Sequence, residues 1–273
     1  GHINRTDLTS FFGLSIPQAS LDIAKYQEIA PDNLIYDRRT KTYMPSPAFS
    51  PVYPQSSAQR YLAELLAIET GALDQDSSFI DTSPAVDWVR VPDRIVDEQI
   101  VETLVRAIRG KLALHIRYQS TSSTDDPLRQ ISPHALGHDG FRWYVRAFCH
   151  ARRQFCDLIL TRILCIDSAE HSSIDACEDR YWHQILQLSL APNPKLSPAH
   201  QRALELDYEM DEGEIAVHCR QAFLRYTLER FNLPDKENSD AGCLLILKNR
   251  AEIQPYIDTV SYTHLRAHET RHD

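Results

Sequence analysis

Glycine is scarce in this chain: eight residues in 273. No G-x-G-x-x-G, no Walker-type loop and no G-x-S-x-G elbow occurs, which removes the commonest nucleotide-dependent and serine-hydrolase readings. The six cysteines include no C-x-x-C pair, so reduced thiols are expected and a metal site is not. No run approaches the roughly 20 apolar residues of a membrane span, and no secretory signal is visible at the start. A cytoplasmic protein without membrane contact is the expectation. Carboxylates do not gather beside a nucleophile. Cys149 and His150, adjacent in sequence, face opposite sides of a strand. The chain does not read as an enzyme, and no catalytic residue or cofactor is expected.

What is present is an uneven distribution of charge. The net charge is −9 overall, but residues 101–165 carry +5 while 49–100 carry −6 and 166–258 carry −8. A basic block between acidic neighbours points to an anion at the middle of the chain. The alternative is that its arginines pair with nearby acids such as Asp139 or Asp157.

Within the basic block, residues 130–166 read as three short strands, with a turn at 137–140 carrying the Asp-Gly hairpin signal. Alternation along 141–148 puts Arg142, Tyr144 and Arg146 on one face and Trp143, Val145 and Ala147 on the other. Arg162 falls on the next strand. Arg129 and His134 flank the strand ISPHAL, although His134 reads equally as a hydrogen-bonded core histidine. Guanidinium forks suit planar and phosphate ligands. Two arginines buried together without an anion would be costly, so an anionic ligand is expected between Arg142 and Arg146.

The first 45 residues read as helix, tight glycine turn, helix and hairpin. Asn4 and Asp7 form a capping box, and Gly13 ends the first helix. Ser15 caps the second, with Pro17 in its first turn and Gln18 at the capping-box position. Ala19, Ile23, Tyr26 and Ala30 share its apolar face. Residues 34–36 and 41–44 pair around a turn at 37–40. This is the winged helix-turn-helix plan. Candidate DNA contacts are Ser15, Gln18, Ser20 and Lys25 on the second helix and Arg38, Arg39 and Lys41 on the wing. A preceding helix, usual in this plan, is expected to be missing.

Further along, 46–60 is rich in Pro and Ser and 71–92 is acidic and polar, so 49–92 reads as a linker with one helix at 58–70, and a second helix spans 92–110. A first barrel strand follows at 112–120. Residues 175–190 read as a linking helix within a 171–203 linker. Residues 204–258 read as strand, helix, strand, helix, beginning with LELDYEM as a strand. The tail, 259–273, places three histidines at helical spacing, but it is similar to translated adapter sequence and is expected to be non-native.

Two motif clusters carry a resemblance. Trp143-Tyr144-Val145, with ISPHAL before it and LTRI after it, resembles the signature of a WYL domain. QASLDIAKYQ followed by LIYDRRTKTY is similar to the winged helix of WYL regulators from bacterial phage-defence islands, the BrxR/CapW-like group. The likeness covers roughly residues 1–258. It implies an α+β protein with three parts: a winged helix-turn-helix (1–48), a WYL domain built as an Sm-like or SH3-like β-barrel (93–170), and a small α+β C-terminal extension used for dimerisation (204–258). It adds Tyr118 and Ser120, in IRYQS, to the ligand-binding candidates. The function it implies is that of a dimeric repressor of a phage-defence operon. Such a repressor binds a duplex DNA operator and senses a nucleotide or nucleic-acid fragment. The rival reading is an accessory protein that binds single-stranded nucleic acid without promoter specificity, and residues 15–43 discriminate between the two.

Overall fold

The structure is a computed structural model. It describes residues 2–53, 57–78, 80, 83–90, 92, 94–121, 128–234 and 242–269, with side chains described as far as residue 259. The chain divides into two compact units, Gly1–Pro92 and Asp93–Asp273.

In the first unit α1 (Arg5–Phe12) begins at Asn4, whose side chain accepts from the Asp7 amide while Asp7 accepts in return from the Asn4 amide. Gly13, at φ 63°, turns the chain out of the helix in the left-handed conformation that glycine adopts without strain. Then α2 (Ile16–Ile29) starts at Ser15, whose hydroxyl accepts from the Gln18 amide. Its inward face buries Ala19 and Ile23, and Ala30 is buried just beyond its end. β1 (Leu34–Asp37) and β2 (Thr42–Pro45) form the antiparallel hairpin. Ile3 adds a bridge to Tyr43 on the far side of β2. Asn33 ties the end of α2 down: its amide nitrogen donates to the Tyr26 hydroxyl and the Ser50 carbonyl, and its oxygen accepts from the Ser50 amide. The linker helix is α3 (Ala58–Glu69), capped by Ser57.

The second unit opens with α4 (Glu98–Gly110), six residues later than the sequence pattern suggests. Asp97 sets that start by accepting from the Gln99 and Ile100 amides, and Ile95 before it is 85% exposed. Ile100, Leu104 and Ala107 form one buried stripe at the spacing of a helix face. They pack on a sheet of five strands: β3 (Leu112–Tyr118), β4 (Leu128–His138), β5 (Trp143–Cys149), β6 (Gln154–Ile159) and β7 (Ile163–His171). Where three strands are expected over 130–166, parts of four are found. The β4–β5 turn starts at Asp139, not Gly137, because Gly137 and His138 still pair with Tyr144 and Trp143. The sheet order is β6-β5-β4-β3-β7, with β6 and β7 as unpaired edges among the described residues. The expected barrel is therefore not closed by hydrogen bonds.

The C-terminal part departs most from the sequence pattern. In place of a linking helix over 175–190 there are a 3-10 turn (Ala176–Glu178), one α-helical turn, α5 (Arg180–His183), and then β8 (Ile185–Pro192). Leu186, Leu188 and Leu190 are buried and Gln187 is exposed, which is strand alternation. LELDYEM is not a strand: its first four residues end α6 (Pro198–Asp207), which Ser197 caps and Pro198 opens. After the expected turn at 211–213, the stretch 215–231 does contain a helix, α7 (Leu224–Arg230), but β9 (Ile215–Arg220) precedes it. β10 (Leu245–Leu247) and α8 (Arg250–Glu269) complete the unit. The sheet order is β10-β8-β9, and Leu188, Leu190, Leu224, Leu228 and Ile253 fill its core. The loop reading for the segment after Pro234 falls largely outside the described residues. Of the tail, the backbone is described as far as Glu269 and, of the side chains, only that of Thr259. No described helix is long and apolar enough to cross a membrane.

Candidate functional site

The winged unit presents its candidates from two elements. On α2, Gln18 and Lys25 are exposed and Ser20 is half-buried. The Gln18 side chain donates to Asp22 at 2.8 Å, so it does not return to the cap as the capping-box reading expects. The Ser20 hydroxyl donates to the Ile16 carbonyl and accepts from Arg5. On the wing, Asp37 folds the turn by accepting from the Arg39 amide and the Thr40 hydroxyl. Lys41 sits at φ 57°. Arg38, Arg39 and Lys41 are exposed, and none makes an ion pair among the described residues.

The ligand candidates on the five-stranded sheet divide into two groups. Tyr118 is buried in the core, where its hydroxyl accepts from the Ile159 amide, and Arg129 lies over its ring at 5.4 Å. Arg162 is not on a strand. It closes the 3-10 turn before β7, and its carbonyl accepts from Gln119, the neighbour of Ser120. The second group lies on the other face of β4 and β5. Arg146 sits opposite Asp157 in the strand register. His134 is the extra residue of a bulge, since the register slips between Pro133 and Ala135. Proline cannot donate to the ladder, and a bulge re-aims the side chain it carries.

That second face is covered by the C-terminal part, and the Arg146 charge is compensated there. Its guanidinium donates to Asp179 twice, at 2.7 and 3.0 Å, and to Asp157 at 3.2 Å. His134 reaches the same Asp179 oxygen at 2.9 Å. Arg146 is 4% exposed and Asp179 2%. Burial alone would raise the Asp179 carboxyl, but the bonds from His134 and Arg146 outweigh it and hold the carboxyl well below the usual range. Burial pushes Asp157 up, against the pull of Arg146. The expectation that Arg142 and Arg146 need a shared anion therefore fails on its premise, because two aspartates already neutralise Arg146.

Tyr144 is also buried. Its hydroxyl donates to Asp139 at 2.7 Å, and its ring meets those of Tyr226 and Phe223. Burial, then the Asp139 bond, raise its pKa above the ordinary tyrosine value. The Arg142 amide donates to Asp139, but its guanidinium takes no part in the network. Its Nε is buried without a hydrogen-bond partner, and its guanidinium lies 5.6 Å from the Phe141 ring. Gly137 lets the Phe223 ring approach, since a Cβ at that position would meet the ring at 2.2 Å.

Beside the Arg146 network lies a half-open cleft of about 520 Å³. Its walls include Arg152, Arg153, Arg180 and Arg225, none of which the strand pattern singles out. The available signal is the paired arginine in the turn between β5 and β6. Asp179 gives none, since it meets Arg146 from 33 residues away.

A helix-turn-helix with a basic wing, joined in sequence to a five-stranded sheet and a small α+β unit, is the plan of a winged-helix WYL regulator. Family models match in that order. Residues 1–67 match the BrxR transcriptional regulator winged helix-turn-helix domain. Residues 99–168 match the WYL domain, and residues 185–253 match the BrxR transcriptional regulator C-terminal dimerization domain. Proteins named DNA-binding transcriptional repressor CapW are similar along most of their length. The one from Stenotrophomonas maltophilia is 39% identical over 97% of this chain and 91% of its own. The one from Pseudomonas aeruginosa is 40% identical over 94% and 87%. The chain belongs to this CapW family.

Proposed function

We propose that this chain is a cytoplasmic, homodimeric repressor that binds duplex DNA through its winged helix and responds to an anionic ligand through its WYL domain. The observation that carries the reading is residues 15–43, which form a capped helix and a hairpin with Arg38, Arg39 and Lys41 exposed at its tip. In helix-turn-helix proteins the second helix enters the major groove, and basic wings take phosphates. Ser15, Gln18, Ser20 and Lys25 on α2 meet the DNA. The same geometry favours a duplex over a single strand. Dimerisation through the C-terminal unit would match a two-fold operator, and Leu206 and Leu244, both more than half exposed there, are available to a second copy. The names of the relatives support repression, and the family resemblance alone supports a phage-defence operon as its target. The ligand is a nucleotide or nucleic-acid fragment, favoured by the net-basic WYL block. Titration of full-length protein into labelled duplex DNA tests the reading. Replacing Arg38, Arg39 and Lys41 together by Ala should weaken binding to every sequence, and unchanged affinity removes the wing assignment.

A further inference from the structure

The cleft beside Arg146 is bordered by the β5–β6 hairpin, the α5 segment and the C-terminal unit. Its volume, about 520 Å³, lies within the range of small-molecule sites. Arg152, Arg153 and Arg180 are exposed on its rim, and none forms an ion pair among the described residues. The lining holds five arginines against three carboxylates, Asp157, Glu178 and Asp179, so the cleft is basic on balance, and exposed guanidinium forks match phosphate oxygens. Phe155 and Tyr181 also line the cleft and offer ring surfaces on which a base can stack.

Arg153 sits at φ 51°, a left-handed conformation costly for any residue with a Cβ. Glycine would occupy this hairpin position without strain. Lys41, Lys111, Glu209, Glu212 and Asn232 share this conformation, so it marks a turn and makes Arg153→Gly a substitution that the backbone accepts.

The floor of the cleft contains Arg146, Asp157 and Asp179. The Asp179 carboxylate takes the Arg146 fork in a two-point arrangement, through Nε and Nη2. A phosphate monoester offers the same two-point geometry with more charge. Asp179 also caps α5 by accepting from the Trp182 amide, and α5 leads directly into β8 of the dimerization sheet. We propose that the cleft binds a nucleotide phosphate that exchanges with the Asp179 carboxylate on Arg146, freeing the α5 segment. This rests on the sensor reading above and adds where the ligand sits and what it displaces. A ligand shifts a conformational equilibrium only by binding one state better, and release of Asp179 supplies that difference.

Adenosine 5′-monophosphate is the probe and adenosine the control, titrated calorimetrically into the full chain. The monophosphate should bind and adenosine should not. Asp179→Asn, which weakens the internal competitor, should tighten monophosphate binding by about tenfold. Arg153→Gly should weaken it by about tenfold while the melting temperature stays the same or rises, because the strain is relieved. A purely structural arginine would not separate those two readouts. The proposal is overturned if the wild type fails to bind the monophosphate or binds adenosine equally well. It is also overturned if Arg153→Gly binds like the wild type, or if folded Asp179→Asn binds no more tightly. Monophosphate that binds in the cleft but leaves duplex DNA affinity unchanged would remove the sensor reading and leave the site standing.

Discussion

Two sets of basic side chains in this protein look alike in sequence and meet opposite fates. Arg38, Arg39 and Lys41 stand exposed around the tip of a hairpin, where the Asp37 side chain is spent on the turn itself. Arg146 stands on a strand whose alternation suggests an exposed anion surface, yet it is 4% exposed and held by two aspartates. The difference lies in what covers each face. A hairpin tip has no neighbour to bury it, whereas one face of a sheet awaits whatever packs on it. In the second unit that cover is the segment carrying Asp179, Phe223 and Tyr226. Exposed basic groups attract phosphates at little structural cost. A buried and paired one holds structure together and can serve binding only by exchange.

Asp179→Ala leaves Arg146 buried with half its compensation and should cost about 3–5 kcal/mol, the usual penalty for breaking a buried pair, measurable by denaturant unfolding. Stability should also depend on pH through this group. Its carboxyl is depressed in the folded protein, so its contribution is complete above about pH 4 and is lost as pH falls through the depressed value. Asp157, raised by burial, acts in the opposite sense. Asp179→Asn should therefore flatten the acid limb of a stability–pH curve, and an unchanged limb would place the acid sensitivity elsewhere.

Gly137→Ala probes the cover rather than the charge. The added methyl would strike the Phe223 ring, and such overpacking should cost about 1–3 kcal/mol. Combining it with Phe223→Ala should recover part of that loss, whereas additive losses would mean that the two residues do not meet. Tyr144→Phe removes only the bond to Asp139, which still accepts from the Phe141 and Arg142 amides. About 1.5 kcal/mol is expected, the low end for a bond to a charged acceptor that is only half-buried. Arg38→Ala, at an exposed position, should change unfolding stability by no more than about 0.5 kcal/mol.

The winged unit is legible in the sequence because its signals are local. Asn4 with Asp7, Gly13, Ser15 with Pro17, and the basic turn after Asp37 each fix structure within a few residues, and α1, α2 and the hairpin lie where those signals put them. The C-terminal unit misleads where short segments satisfy two periods. ILQLSL contains enough leucine for a helix face, but its strict alternation and its pairing with β9 and β10 make it a strand. LELDYEM alternates, yet the Ser-Pro cap before it starts a helix that absorbs its first half. The WYL strands are legible from alternation and turn chemistry. The burial of Arg146 is not, because its partner belongs to a segment that reads as linker.

The most direct test of the separation between the wing and the cleft beside Arg146 is the salt dependence of duplex DNA binding. Affinity would be measured across about 50 to 200 mM salt for the wild type, for the Arg38/Arg39/Lys41 triple alanine variant and for Arg153→Gly. For each phosphate that a variant no longer neutralises, the slope of log affinity against log salt should fall by about 0.9. A clearly flatter slope is expected for the wing variant and a wild-type slope for Arg153→Gly. A wild-type slope for the wing variant, with the flattening in Arg153→Gly instead, would contradict that separation and make the cleft, not the wing, the surface that meets DNA.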